Sequence, residues 1–340
     1  MLSRRARFLI LGLAIALSAC SSEPGRPTTP TAPGATTIDI PGASRIAGDY
    51  VQEVVAVMQA NSINRLRIDW DNFKSQVFSR AENAQVIADT IPAISVALGL
   101  LDDHHSFYVT SANVTYGNPN GRRCSAVIPA TPVVPAAVGY VKVSGAANAG
   151  PAGDTAFADS IQDQIRARDT PGLVGWIVDL RGNTGGNMWP MVAGVGPVLG
   201  AGTAGYFVPP LGNTLPWSYD HGQSLSAGTP VTRTTAIYEL IAASPRVAVL
   251  MDNRTASSGE AVVVSFENRP GTRLFGTLTC GLSTANGTYR LSDGAMLYVT
   301  NAVMADRSLV RYGDQIAPDE TIAGDSEVVA RAIEWLRSGR

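Results

Sequence analysis

The sequence predicts an α/β core preceded by a small helical bundle. Apolar residues recur at helical spacing over Ile46–Leu101, and strands begin to alternate with helices after Phe107. The segment Leu173–Leu180 is apolar almost without interruption, which indicates a strand buried on both faces of a parallel sheet. Because alternating strands and helices favour an α/β architecture, we predict a bundle over residues 41–106 and an α/β core over residues 107–340.

The predicted bundle contains three helices. Tyr50–Met58 carries apolar residues at helical spacing, Asp69–Phe78 opens a second helix, and Ala84–Leu101 forms a third. These segments end at a short polar stretch that contains a pair of histidines, His104 and His105.

The predicted core alternates short strands with amphipathic or apolar helices. Strands are predicted at Ala137–Val143, Leu173–Leu180, Val247–Met251, Arg273–Gly276, Thr288–Leu291 and Met296–Val303. Helices are predicted at Asp154–Ala167, Met188–Leu199, Gly259–Glu267 and Ser326–Arg337. The Gly-, Pro- and aromatic-rich segment Gly200–Gly228 is predicted to be a long loop, of the kind that often forms a lid or a binding edge.

The N-terminus has the pattern of a targeting segment. Three arginines precede the apolar run Phe8–Leu17, which is too short to span a bilayer comfortably. The run ends in Leu-Ser-Ala-Cys20, which resembles a bacterial lipobox in which Cys20 becomes the lipidated first residue; the alternative is an ordinary secretory signal. Residues 1–20 are therefore predicted to be a lipoprotein signal peptide, and residues 21–40 a flexible linker rich in Ser, Pro and Thr.

Composition restricts the class of partner. The net charge is −2, only 16% of the residues are charged and no basic run occurs, so nothing indicates a nucleic-acid partner. Beyond Cys20 there are two cysteines, Cys124 and Cys280, without the spacing of a metal site. The sequence leaves open whether they form a disulfide in an oxidising compartment or remain two separately buried thiols.

Two motifs indicate a nucleophile and a site for a negatively charged oxygen. Ser257 lies at a predicted strand-to-helix turn, where the helix dipole favours an alkoxide or a nearby oxyanion. The alternative is a capping box, Ser-x-x-Glu, formed with Glu260. The motif Asp-Leu-Arg-Gly-Asn-Thr-Gly-Gly, which ends at Gly185 and Gly186, allows the backbone N–H groups to approach a ligand closely; the alternative is a turn that needs unusual dihedral angles.

Polar residues elsewhere are candidates for the base and its partner. His105, beside acidic residues at an element boundary, is a plausible general base, although capping or solvent exposure would also explain a His-His pair. A late carboxylate that orients this histidine would complete a triad-like relay. Asp314, Asp319 and Glu320 lie in the relevant segment, where most acidic residues are simply solvated.

Taken in this order, the motifs resemble the C-terminal processing (tail-specific) serine peptidases, a family that also includes the catalytic core of tricorn protease. The resemblance covers Tyr50–Glu334 and is carried by His105, the Asp-Leu-Arg-x-Asn-x-Gly-Gly strand end, Thr255–Glu260 and Pro318-Asp319. It implies a crotonase-like (ClpP/crotonase) core and peptide-bond hydrolysis without a cofactor.

The sequence departs from one branch of this family. That branch uses a Ser–Lys dyad, but Leu282 stands at the lysine position. The tricorn-like branch uses Ser, His and Glu, which implies Ser257 as nucleophile, His105 as base and Glu320 as the carboxylate, with Asp314 as the alternative. The PDZ-type domain of many tail-specific members has no counterpart between Phe107 and Gly172.

The resemblance thus predicts an envelope-anchored serine peptidase that acts on peptides or proteins. Its oxyanion hole would consist of the backbone N–H groups of Ser258 and of Gly185 or Gly186. The anchor would face the periplasm, and Ser21 after Cys20 favours the outer membrane. Two alternatives use the same fold: a non-catalytic binding protein, as in the retinoid-binding repeats of the photoreceptor matrix, and a hydrolase of small esters or lactones.

Overall fold

The computed structural model describes residues 39–125 and 127–339. The predicted signal peptide, its Cys20 and most of the predicted linker lie outside the described residues. Among the helices that are described, none combines the length and the apolar character needed to cross a membrane.

The described part of the chain contains seven α-helices. They are α1 (Arg45–Asn61), α2 (Trp70–Ser79), α3 (Ile91–Leu100), α4 (Gly150–Arg168), α5 (Met188–Leu199), α6 (Ser258–Phe266) and α7 (Asp325–Ser338). The third predicted helix is divided, because a 3-10 turn at Ile87–Thr90 precedes α3, and Pro92 lies in the first turn of α3, where proline is tolerated.

The strands form two sheets. They are β1 (Phe107–Val109), β2 (Thr115–Gly117), β3 (Gly139–Lys142), β4 (Trp176–Asp179), β5 (Gly202–Val208), β6 (Leu215–Asp220), β7 (Gln223–Ser226), β8 (Thr229–Arg233), β9 (Val247–Met251), β10 (Thr272–Gly276), β11 (Thr284–Arg290), β12 (Met296–Asp306) and β13 (Glu320–Thr321). One sheet is parallel, in the order β13-β10-β9-β4-β3. The other is antiparallel, in the order β2-β1-β12-β5-β6-β7-β8, with β11 also paired to β12. The fold is therefore α/β, as the sequence predicts.

The segment Gly200–Gly228 corrects the sequence-based prediction, because it forms strands β5 to β7 rather than a long loop. Three of its six glycines, Gly212, Gly222 and Gly228, lie in the hairpin turns and have positive φ angles. Between the turns, side chains alternate in burial, and Trp217 and Tyr219 of β6 point into the core. Half of the glycines thus marked turns between strands rather than one continuous loop.

The parallel sheet is covered on both faces. On one face, β4 and β9 pack with α5 and α6 in the largest core cluster, which also takes in Trp217 of the antiparallel sheet. On the other face, Trp335 and Leu336 of α7 pack against Ile177 and Leu250. This double burial is what the unbroken apolar run at Leu173–Leu180 indicated.

The N-terminal helices share their core with the antiparallel sheet. Tyr50 and Val54 of α1 belong to the same buried cluster as Tyr108 of β1 and Leu297 and Val299 of β12. The Tyr50 and Tyr108 hydroxyls are 2.9 Å apart in a buried hydrogen bond. Helices α1 to α3 form a helical layer against this sheet. The long strand β12 connects the helical layer to the rest of the core through its pairing with β5.

Candidate active site

The two sequence motifs meet because their strands are neighbours in the parallel sheet. Strands β4 and β9 pair in register, so both end at the same edge of the sheet. Beyond the strands, the Ala256 N–H donates to the Asn183 carbonyl at 2.9 Å, and the Thr255 hydroxyl donates to the Leu180 carbonyl at 3.0 Å. Hydrogen bonds between the two turns thus fix one motif against the other.

Ser257 has a strained backbone at the sharp turn between β9 and α6. Its φ and ψ angles are 53° and −118°, and a positive φ is uncommon in any residue other than glycine. Such strain is concentrated at functional sites. A strand–turn–helix of this kind exposes a serine hydroxyl above the sheet, as in a nucleophile elbow.

Glu260 connects this turn to the segment before β11. Its buried carboxylate accepts the Ser257 N–H at 2.8 Å, as a capping box requires. The same carboxylate accepts the Thr279 hydroxyl at 2.5 Å, the Gly281 N–H at 3.0 Å and the Leu282 N–H at 2.8 Å. Burial raises the pKa of Glu260 to about 7, while the four donors favour the ionised form. Glu260 is therefore the centre of a buried hydrogen-bond network. The network includes Leu282, the residue that stands where the Ser–Lys branch of the family has its lysine.

The glycine turn after β4 lies directly against Ser257. A Cβ atom on Gly185 would come within 2.8 Å of the Ser257 Cβ and 3.0 Å of the Ser258 nitrogen, so only glycine fits there. The Gly185 N–H is already bonded to the Asn183 side-chain oxygen at 2.9 Å. Within the described residues, the N–H groups of Gly186 and Ser258 have no such partner. These two, rather than Gly185, are available to an oxyanion.

His105 enters the site from the helical layer, between α3 and β1. Its N–H and that of Ser106 donate to the Asp103 carboxylate at 2.9 and 2.7 Å, which fixes the turn. Its ring Nδ1 lies 2.8 Å from the Thr284 Oγ1. Burial lowers the pKa of His105 to about 4, with Asp103 opposing that shift. The ring is therefore neutral over the physiological range.

The structure does not bring Glu320 to His105, which corrects the prediction of its partner. Glu320 begins β13 at the outer edge of the parallel sheet, where its carboxylate pairs with Arg331 at 2.6 Å and Arg273 at 3.4 Å. The alternative, Asp314, is exposed and pairs with Arg122. Thr284, whose hydroxyl contacts Nδ1 of His105 in place of a carboxylate, carries no charge. No feature of the sequence distinguished it from other threonines.

The remaining candidates lie apart from the ring. Asp319 accepts the Leu274 N–H at 2.8 Å and so has a structural contact. His104 is exposed, and its Nδ1 is 3.1 Å from the Asn120 carbonyl. Lys142 pairs with the buried Asp179 at 3.3 Å, so this lysine does not replace the one that the dyad branch uses.

A disulfide joins Cys124 to Cys280, which resolves the alternative that the sequence left open. Cys280 precedes Gly281 and Leu282, both of which donate to Glu260, and Thr284 follows two residues later. The disulfide therefore anchors the segment that contacts both halves of the site.

Ser257 and His105 line one cleft of about 1210 Å³, together with Gly186, Ser258 and Thr284. In the described structure, no hydrogen bond joins the Ser257 hydroxyl directly to the His105 ring. Catalytic hydrogen bonds are often long without substrate and tighten when it binds. The volume of the cleft exceeds the roughly 300–1,000 Å³ of pockets that hold drug-sized ligands, so the cleft has room for several residues of a peptide.

Comparisons with known proteins agree with this geometry. The profile of peptidase family S41 matches residues 137–322, more than half of the chain. The nisin-resistance protein of Lactococcus lactis subsp. lactis is 29% identical over 277 residues, which cover 79% of this chain and 80% of that protein.

Solved structures share the fold. A lipoprotein from Streptococcus agalactiae has a TM-score of 0.71 at 20% identity and covers 86% of this chain and 96% of its own. A peptidase from Parabacteroides merdae, described as putative, has a TM-score of 0.54 at 14% identity, with 85% and 96% covered. The photosystem II D1 C-terminal processing protease has a TM-score of 0.52 at 15% identity, with 83% and 96% covered. The profile match, supported by these shared folds, shows that the chain belongs to peptidase family S41, a family of serine peptidases.

Proposed function

We propose that this peptidase cleaves peptide bonds in the cell envelope with Ser257 as nucleophile and His105 as general base. The observation that carries the proposal is the pair of independently held groups in one cleft: a strained serine at a helix N-terminus and a neutral histidine bonded through Nδ1. A neutral imidazole can accept the serine proton without first losing one of its own.

The tautomer of His105 follows from its contact with Thr284. If the ring Nδ1–H donates to the Thr284 oxygen, Nε2 carries the lone pair that removes the Ser257 proton. The serine oxygen then attacks the substrate carbonyl, and His105 returns the proton to the leaving amine. Water hydrolyses the acyl-enzyme by the same route.

The oxyanion of each tetrahedral intermediate would be held by the backbone N–H groups of Gly186 and Ser258. Both donors are unused within the described residues and line the cleft beside Ser257. Losing one donor of this kind typically costs about 3 kcal/mol in the transition state.

A fluorophosphonate probe tests the nucleophile. It should label the protein at Ser257 and fail to label Ser257→Ala, whereas Ser326→Ala, at a surface position, should label normally. Labelling that persists in Ser257→Ala would reject the assignment. Peptide cleavage, with nisin included among the test peptides because of the relative named above, should be lost in the same variant.

The same assay separates the alternatives. Hydrolysis of p-nitrophenyl esters without cleavage of any peptide in a proteome-derived library would favour an esterase. A well-folded protein that neither reacts with the probe nor hydrolyses either substrate would favour a binding protein.

The envelope location rests on the lipobox-like Cys20 and on the similarity to a streptococcal lipoprotein. A labelled fatty acid should be incorporated into the wild-type protein and not into Cys20→Ala, which should leave the membrane fraction because stable anchoring needs the acyl chains. A mature N-terminus at another residue would contradict the anchor.

A further inference from the structure

The cleft that contains Ser257 has an uneven charge distribution. Of the described residues that line it, none is an aspartate or glutamate, whereas two arginines, Arg65 and Arg122, do line it. Arg122 is paired with Asp314. Arg65 lies within 4 Å of no carboxylate in the described part of the chain, so its positive charge is not neutralised by an ion pair.

The local structure positions Arg65. Its guanidinium donates to the Ser62 carbonyl at 3.2 Å, and its own carbonyl accepts the Trp70 indole N–H at 2.8 Å. The residue lies after α1, in the helical layer that also carries His105. A half-buried guanidinium with free donors is well suited to bind a carboxylate.

A different part of the cleft wall is apolar and aromatic. Met188 and Trp189 begin α5, and Met304 of β12 pairs in register with Phe207 of β5. The Trp189 and Phe207 rings are 6.4 Å apart in an edge-to-face arrangement. This wall would bury an apolar side chain of a peptide.

We propose that the cleft selects peptides that carry a carboxylate together with an apolar residue in the segment that occupies the cleft, and that it discriminates against lysine and arginine. The proposal rests on the peptidase function proposed above and specifies its substrate class. A substrate cation would meet Arg65 and find no acidic residue on the cleft wall, whereas a carboxylate would gain a charge-assisted hydrogen bond. The carboxylate could belong to an Asp or Glu side chain or to a free C-terminus.

Matched peptides test this selectivity. One peptide cleaved by the wild type, identified from a proteome-derived library, would be remade with Glu, Gln or Lys at each position flanking the bond. Each would be made with a free and with an amidated C-terminus. Since hydrogen bonds to charged groups contribute about 1.5–3 kcal/mol, kcat/KM should favour Glu over Gln by about tenfold or more at one position, and Lys should be the poorest. If the free C-terminus supplies the carboxylate, amidation should have this effect instead.

Arg65→Gln should abolish the preference, leaving Glu and Gln peptides within about twofold, while a neutral peptide is still cleaved. Arg67→Gln is the matched control, because Arg67 lies in the same turn, donates to Asn64 at 2.6 Å and does not line the cleft. Raising the salt concentration should weaken the preference in the wild type.

The outcomes separate the two proposals. Failure of the wild type to cut any library peptide that Ser257→Ala leaves intact would overturn the proposed function. Cleavage that is indifferent to charge, that favours lysine, or whose charge preference survives in Arg65→Gln would overturn the selectivity alone. Equal thermal unfolding temperatures for the variants would establish that binding, not folding, was altered.

Discussion

The two sides of the cleft are built in different ways. The serine side is a continuous local motif at the end of β9, in a parallel sheet buried on both faces. The histidine side combines residues far apart in sequence: His105 from the helical layer and Thr284 from the start of β11. Glu260 and the segment after Thr279 join the two sides. A short motif was therefore sufficient to predict the proposed nucleophile, whereas the group that contacts the proposed base depends on tertiary contacts.

The largest effect should come from removing the base. His105→Ala should lower kcat by roughly four to six orders of magnitude, since removing the base of a serine peptidase costs about as much as removing the serine. His104→Ala should stay within about twofold, as expected for an exposed residue. Equal losses in the two variants, measured on the same peptide, would contradict the assignment.

The dependence of kcat/KM on pH tests whether the His105 ring is buried and neutral. An ordinary histidine loses its proton at about pH 6–7, but burial lowers the pKa of His105 to about 4, so kcat/KM should fall only as the pH drops through about 4. Because the folded pKa lies below the unfolded one, the unfolded chain binds this proton first, and stability should also fall between about pH 6.5 and 4. Burial raises the pKa of Glu260 to about 7, so its protonation could also produce an acid limb in this range. An acid limb near pH 6.5 that persists in Glu260→Gln would reject the buried, neutral ring.

Glu260→Gln should break the connection between the two sides. An amide nitrogen would face backbone donors and leave at least one of them unpaired, at a cost of about 1–3 kcal/mol. We expect kcat to fall by about a hundredfold with a smaller change in KM, since a shift of the nucleophile by about 1 Å can have that effect. Glu267→Gln, at the other end of α6, is the control. Similar kcat values for the two variants would limit Glu260 to a role in stability.

Thr284→Val tests the contact that replaces the carboxylate. Valine keeps the shape and loses the hydroxyl, so Nδ1 loses its 2.8 Å partner and the productive tautomer is less favoured. One neutral hydrogen bond contributes about 1 kcal/mol, which predicts a decrease in kcat of about five- to tenfold. Thr321→Val, on the exposed part of β13, should have no effect. A loss of four orders of magnitude would contradict this role, because one neutral hydrogen bond that orients the ring cannot account for it.

Glu320→Gln should have the smallest effect. Its carboxylate pairs with Arg331 near the surface, and such pairs contribute about 0–1 kcal/mol to stability. Turnover should therefore match the wild type, as should that of Asp314→Asn. If Glu320→Gln is inactive while folding normally, the relay runs through Glu320, and Thr284 is not the partner of His105.

The sequence predicted most of the helices and strands that surround Ser257. The strand Val247–Met251 and the helix Met188–Leu199 have the bounds predicted from their apolar patterns. The hairpins β5 to β7 were missed because the glycines and prolines of this segment suggested a loop, whereas strand pairing, rather than local propensity, decides the structure.

What the sequence determined by itself is the chemistry that depends on neighbouring residues. Ser257 and the capping Glu260 lie within one short motif, and Gly185 and Gly186 lie within another in the turn after β4, because strained turns need specific residues at fixed spacing. The tertiary structure decided which group contacts Nδ1 of His105, that Cys124 and Cys280 are joined, and that Glu320 faces Arg331 instead. These contacts join residues more than a hundred positions apart or depend on which sheet edge a strand occupies, and no local pattern of residues determines such distances.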